Sequence, residues 1–261
     1  VTCSKSGCHA TADGGAPRQI TEGRHNFMGT PAWTRDGRSV LVSSNFDEDW
    51  EYEPLESEIF RVDVDSGATA QLTHRKGPDQ GAVVSPDGKR VAWLGFDDNG
   101  KPYQASHVYV MDLAGGAPRV LTASFDFDAD DLGWDGNKGL VFHYDDHGMT
   151  RIGWVAADGG KVETLADDLG GTAIGRPYAG GSMSIAGGRI AYTRVSEYRP
   201  ADVAIVGAGG KPRSLTDLNA NLLGHRRLGK VEEMRVKSSA DGREIEAWIV
   251  TPPDFDALKK Y

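Results

Sequence analysis

Apolar and polar residues alternate along most of this chain, in short runs broken by glycine-rich turns. One recurring unit is a turn followed by such a run: WTRDGRSVLVSS, VSPDGKRVAWLG, the degenerate WDGNKGLVFHYD, and IAGGRIAYTR. Their turn glycines, Gly37, Gly88, Gly136 and Gly188, are 51, 48 and 52 residues apart. A second unit closes each period: GGAPRQIT, SGATAQLT, GGAPRVLT, GGKVETLA and GGKPRSLT, ending at Thr21, Thr73, Thr122, Ala166 and Thr216. Between them lies a third run, read in EIFRVDVD, HVYVMDL, RIGWVAAD and DVAIVGAG. A period of two predicts strands, and Asp-Gly and Gly-Gly pairs between strands predict hairpin turns. No helical period precedes residue 217.

One small antiparallel sheet cannot bury both of its faces alone, whereas radial stacking of several can. The expected fold is therefore all-β, a β-propeller of four antiparallel blades at about 31–73, 82–122, 131–166 and 183–216. The segment ending at Thr21 reads as the remnant of a fifth. Residues 1–225 form this partial propeller in the sequence reading. Residues 226–261 form a linker and a hairpin around Asp241-Gly242, ending at Pro252-Pro253, where strand pairing stops. The chain begins with Val and ends in KKY. It is expected to be a piece of a longer protein, with further blades upstream.

Composition narrows the partners. The 261 residues carry a formal net charge of −9, with 39% hydrophobic and 26% charged residues. That charge repels nucleic acid and anionic lipid, so neither is an expected partner. No apolar run reaches the roughly 20 residues of a membrane helix, and VTCSKSGCHA lacks the apolar stretch of a signal peptide. Cys3, Cys8 and His9 do not have haem-attachment spacing and are too few for a zinc site, so they read as free thiols or a local disulfide. Two cysteines assign no redox compartment.

The C-terminal stretch SSADGREIEAWIVTPPDFDALKKY resembles the segment that joins the propeller to the α/β-hydrolase domain in prolyl oligopeptidase family serine peptidases. EDWEYEPLESEIFRVDVDSG, GPDQGAVVSPDGKRVAWLGFDD and GGTAIGRPYAGGSMSIAGGRIAYTR resemble the dipeptidyl-peptidase and acylaminoacyl-peptidase branch. Single repeat tags are shared with TolB-like propellers. The resemblance implies a propeller that caps an active site, filters peptide substrates and meets a C-terminal α/β-hydrolase domain of the same parent chain. The family's G-x-S-x-G nucleophile elbow and HGG-type oxyanion loop do not occur here. GGSMS at 180–184 lacks the second glycine. No catalytic residue is therefore carried over, and this chain alone is not expected to cleave peptides. The alternative is a stand-alone TolB-like propeller that binds a protein partner.

One stretch exceeds the length of an ordinary connection. DEDWEYEPLESE, residues 47–58, holds seven carboxylates in twelve positions. Packed carboxylates repel unless a cation is near. A peptide's α-amino group is such a cation, and the resemblance implies a glutamate-bearing propeller insert that binds it. Glu51 and Glu53 are the first candidates, flanking Tyr52 on one side of an extended stretch, with Glu56 and Glu58 next. Trp50 and Tyr52 would wall the site through cation–π attraction. A solvated acidic loop is the competing reading. Arg176 and Tyr178 are further substrate-binding candidates, set against a role in bridging blades. Asp126, Asp128, Asp130 and Asp131 read as turn caps, and Asp145, Asp146 and His147 as a solvated hairpin tip. His107, His143 and His225 have no shared metal spacing, and the calcium-loop pattern is absent. No metal or cofactor is expected.

Overall fold

The structure, a computed structural model, describes residues 8–9, 18–172 and 180–260. The strands are β1 (Cys8–His9), β2 (Arg18–Gln19), β3 (Phe27–Trp33), β4 (Ser39–Ser44), β5 (Glu58–Asp63), β6 (Thr69–Gln71), β7 (Asp79–Val84), β8 (Arg90–Gly95), β9 (His107–Asp112) and β10 (Arg119–Val120). They continue as β11 (Asp130–Asp135), β12 (Gly139–Asp146), β13 (Met149–Ala156), β14 (Glu163–Leu169), β15 (Met183–Ala186), β16 (Arg189–Ser196), β17 (Arg199–Gly207), β18 (Arg213–Ser214), β19 (Lys230–Lys237) and β20 (Glu244–Thr251). A single helical turn, α1 (Ala220–Leu223), follows the last blade strand.

The fold is all-β, as the sequence pattern predicts. β3-β4-β5-β6 and β7-β8-β9-β10 each form a four-stranded antiparallel sheet in chain order. The third and fourth repeats differ from the expected pair of separate sheets. β11 to β18 belong to one eight-stranded sheet, because β14 runs on past its repeat to Leu169, which pairs with Arg194 of β16. The chain divides into two compact units. One comprises 1–144, 152–165 and 185–189, the other 145–151, 166–184 and 190–261.

Local chemistry explains the repeated tags. In the first turn Thr34 Oγ1 accepts from Ser39 N at 3.0 Å, while Asp36 accepts from Arg38 N at 3.1 Å. Ser85 and Asp87 repeat this arrangement with Arg90 N and Lys89 N. Gly37 and Gly88 complete the turns at φ 68° and 75°, which only glycine adopts without strain. The closing threonines have one job as well. Thr73, Thr122 and Thr216 accept from the backbone N–H of Ile59, Val108 and Val203 at 2.8–2.9 Å, each satisfying a donor of the third strand. Ala166 has no hydroxyl for this.

In the first unit the inner strands are buried on both faces, so strict alternation is lost there. Leu41, Ile59, Val91, Trp93, Tyr109 and Met111 make one core, and Val108, Val110, Leu140, Phe142 and Val155 another. Burial on both faces is what stacked sheets require.

Candidate functional site

Three first strands of the first unit share a defect at the same place. Registers shift between Met28 and Ala32 in β3, Gln80 and Val83 in β7, and Asp130 and Gly133 in β11. Each bulge carries a positive φ: Gly29 at 78°, Gly81 at 63° and Asp131 at 50°. Bulges re-aim side chains, and here they border a cavity of about 640 Å³. Met28, Leu55, Pro78, Leu94 and Phe96 supply apolar wall; Ser43, Gln80, Ser106, Asp128 and Asp130 supply polar groups. Leu55 belongs to the acidic insert. Gln80, Asp128 and Asp130 were not singled out as a common site in the sequence. Their signal there is the Met-Gly, Gln-Gly and Asp-Asp pairs opening successive repeats.

The insert is not the extended stretch expected from its sequence. Tyr52 N and Glu53 N both donate to Asp49 O, at 2.8 and 3.1 Å, so residues 48–52 form turns. Its base is anchored. Asn45 Nδ2 donates to Glu53 O at 2.7 Å, and the Phe46 ring stacks between His25 and Phe60 at 4.2 Å from each. Glu51 and Glu53 are exposed, Tyr52 is 84% exposed and Trp50 is half-buried. Among the described residues no ion pair engages Glu51 or Glu53. Arg176 and Tyr178 lie outside the described residues.

Glu56 and Glu58 point elsewhere. Glu56 Oε2 accepts from Gly77 N at 3.3 Å. Glu58 is buried at the start of β5, accepting from Thr73 Oγ1 and, at 2.7 Å, from Arg75 N. Burial pushes its carboxyl up to about 7 against the opposing Thr73 hydrogen bond, and the neighbouring Asp79 charge adds to the rise. Arg75 spans the next step, bonding Asp79 at 2.6 Å and Asp97, and lying 3.8 Å over the Tyr109 ring. These groups tie residues 73–79, the connection between the first two sheets, into the interior. Glu58 is thus an internal anchor rather than part of the exposed acidic rim.

Two aspartates of FDFDADD, expected to cap turns, make other bonds: Asp128 ties down the 103–106 loop and Asp130 bonds within the β11 bulge. Asp128 accepts from Ser106 N at 2.7 Å and from the Tyr103 hydroxyl, and Asp130 accepts from Asp131 N at 2.8 Å. Among the described residues no group of His, Cys, Asp and Glu is arranged to hold a metal. No described helix is long and apolar enough to cross a membrane. The Asp145–His147 tip, expected to be solvated, meets the C-terminal hairpin instead: His147 Nδ1 lies 2.9 Å from Glu246 Oε2.

No protein-family model matches the chain. It is 27% identical over 251 residues to dipeptidyl-peptidase 5 of Porphyromonas gingivalis, covering 94% of this chain and 35% of that protein. An acylaminoacyl peptidase in complex with Z-Gly-Gly-Phe-chloromethyl ketone shares the fold with a TM-score of 0.67 at 20% identity, over 88% of this chain and 33% of that one. TolB from Acinetobacter baumannii aligns with a TM-score of 0.55 at 22% identity, over 94% and 56% respectively. The chain spans about a third of the length of the peptidases it resembles. Along nearly its whole length the chain is similar to a portion of dipeptidyl-peptidase 5, and it shares the fold of the propeller portions of such peptidases.

Proposed function

We propose that this chain is the non-catalytic propeller of a serine exopeptidase, and that its acidic insert receives the substrate's N-terminal amine. The observation that carries the reading is the cavity of about 640 Å³ with Leu55 of the insert in its wall, taken with the exposure of Glu51 and Glu53, which no ion pair engages among the described residues. Apolar walls accept a peptide side chain, and carboxylates without a protein cation attract an ammonium group. Tyr52, exposed on the same insert, offers a face for the same cation. The nucleophile, oxyanion donors and base belong to an α/β-hydrolase domain of the parent protein, which this propeller caps and for which it filters peptides.

The test is Glu51→Gln and Glu53→Gln in the full-length parent. Each removes a charge and preserves shape. Loss of a charge-assisted hydrogen bond is worth roughly 1.5–3 kcal/mol, about ten- to a hundredfold in kcat/KM. The loss is expected for substrates with a free N-terminus and not for N-acylated ones. Equal loss for both, or none for either, removes the insert from substrate binding. The TolB likeness supports a second reading, a propeller that binds a protein partner without a hydrolase domain. A parent reading frame lacking a nucleophile elbow downstream of Tyr261 would favour it.

A further inference from the structure

The C-terminal hairpin has two faces. By its register, Val231, Glu233, Arg235, Val250, Trp248 and Glu246 lie on one side. Met234, Val236, Ile245 and Ile249 lie on the other and are 39–48% exposed. The first side meets the tip between β12 and β13. That tip is a two-residue turn with His147 at φ 51° and Gly148 at φ 70°, the geometry of a type I′ hairpin turn. The Trp248 ring lies against Gly148 so closely that a Cβ there would stand 2.7 Å from Cη2. Glycine is required at this turn position twice over, for its φ and for the ring.

The Glu246 carboxylate divides its oxygens. Oε2 takes His147 Nδ1 at 2.9 Å and Oε1 takes Arg235 at 2.9 Å. Arg235 also holds Glu233 and Glu244 at 3.0 Å. On the tip side His147 Nε2 is 3.5 Å from Asp146, which Arg151 binds at 3.2 Å. His147 therefore lies between two carboxylates, each shared with an arginine. At the hairpin's root Val231 N donates to the Tyr198 hydroxyl at 3.2 Å.

From this arrangement we infer that the β12–β13 tip is a latch for the C-terminal hairpin, made by His147 on Glu246 and Gly148 under Trp248, which sets the direction in which β19–β20 leave the last blade strands. The inference is independent of the amine-binding reading. Residues 217–229 between the last blade strand and β19 contain only the short α1, so a side contact is needed to hold the hairpin's angle. The contact is a hydrogen bond between an imidazole and a carboxylate, the charge-assisted kind. The His147 hydrogen bond holds the Glu246 carboxyl below its ordinary range, so the acceptor stays ionised into mild acid.

The test uses 5-fluorotryptophan labelling of the 261-residue chain, with the Trp248 ¹⁹F resonance assigned through Trp248→Phe, alongside amide hydrogen exchange. In His147→Asn, which retains a residue suited to the turn, the Trp248 resonance is expected to move from its wild-type position. Glu246→Ala alters only the hairpin and leaves the blade strands intact. It is expected to speed exchange at Ala247–Val250 by about five- to tenfold, the scale of one lost hydrogen bond. A Trp248 resonance unmoved in His147→Asn, or hairpin exchange unchanged in Glu246→Ala, overturns the latch.

Discussion

Glu58 offers the sharpest test of how the first two sheets are joined. In the unfolded chain its carboxyl titrates at its ordinary 4.5, whereas in the fold it is raised to about 7 by burial, with Asp79 adding to the rise. Between those values the folded state holds one proton more than the unfolded state. Stability therefore falls as pH rises through this window, and the contribution is fully present only below the lower value. The interval is 7 − 4.5, about 2.5 pH units. At about 1.4 kcal/mol per unit this is up to about 3 kcal/mol lost between pH 4.5 and 7. Arg75 does not cancel the cost, since its guanidinium is taken up by Asp79 and Asp97 and only its backbone N–H reaches Glu58. Glu58→Gln keeps the size and removes the titration. Urea unfolding of both proteins at pH 5 and pH 8 isolates the group, because other titrations cancel in the difference. The wild type is expected to lose 2–3 kcal/mol relative to Glu58→Gln on going from pH 5 to pH 8. A difference that does not change with pH, or one that changes in the opposite sense, would refute the reasoning.

Thr122→Val keeps the shape but strands the buried Val108 N–H, with an expected cost of about 1–3 kcal/mol in urea unfolding; no cost would remove the threonine's role as acceptor. Gly95→Ala drives a methyl into the Pro78 carbonyl and to 2.8 Å from Asp79 Oδ1. It is expected to cost more than about 2 kcal/mol, whereas Gly37→Ala, which meets open space but sits at φ 68°, costs only about 1 kcal/mol; equal melting temperatures for the two would contradict this. Incubation of the purified chain with a fluorophosphonate probe is expected to give no stoichiometric serine labelling, and stoichiometric labelling would disprove the non-catalytic assignment.

The repeats were legible because their chemistry is local. Thr34, Asp36, Gly37 and Ser39 complete a turn within six residues, and the same atoms recur at Ser85, Asp87, Gly88 and Arg90. Such bonds form wherever that short sequence occurs, so the pattern announces the strands beside them. The closing threonines were legible as a period, though their role as acceptors for the third strand emerged only from the pairing. Other features depend on residues far apart in the chain. The insert looked uniformly acidic, yet Glu58 is buried against Thr73, 15 residues away, while Glu51 and Glu53 remain in solvent. Identical carboxylates differ here only in what folds around them. The cavity draws Met28, Leu55, Gln80 and Asp128 from successive repeats. His147 meets Glu246 across 99 positions. Turn conformation is governed by φ, ψ and neighbouring side chains. Burial, electrostatic environment and distant partners are set by the packing of strands against one another, which a linear pattern does not encode.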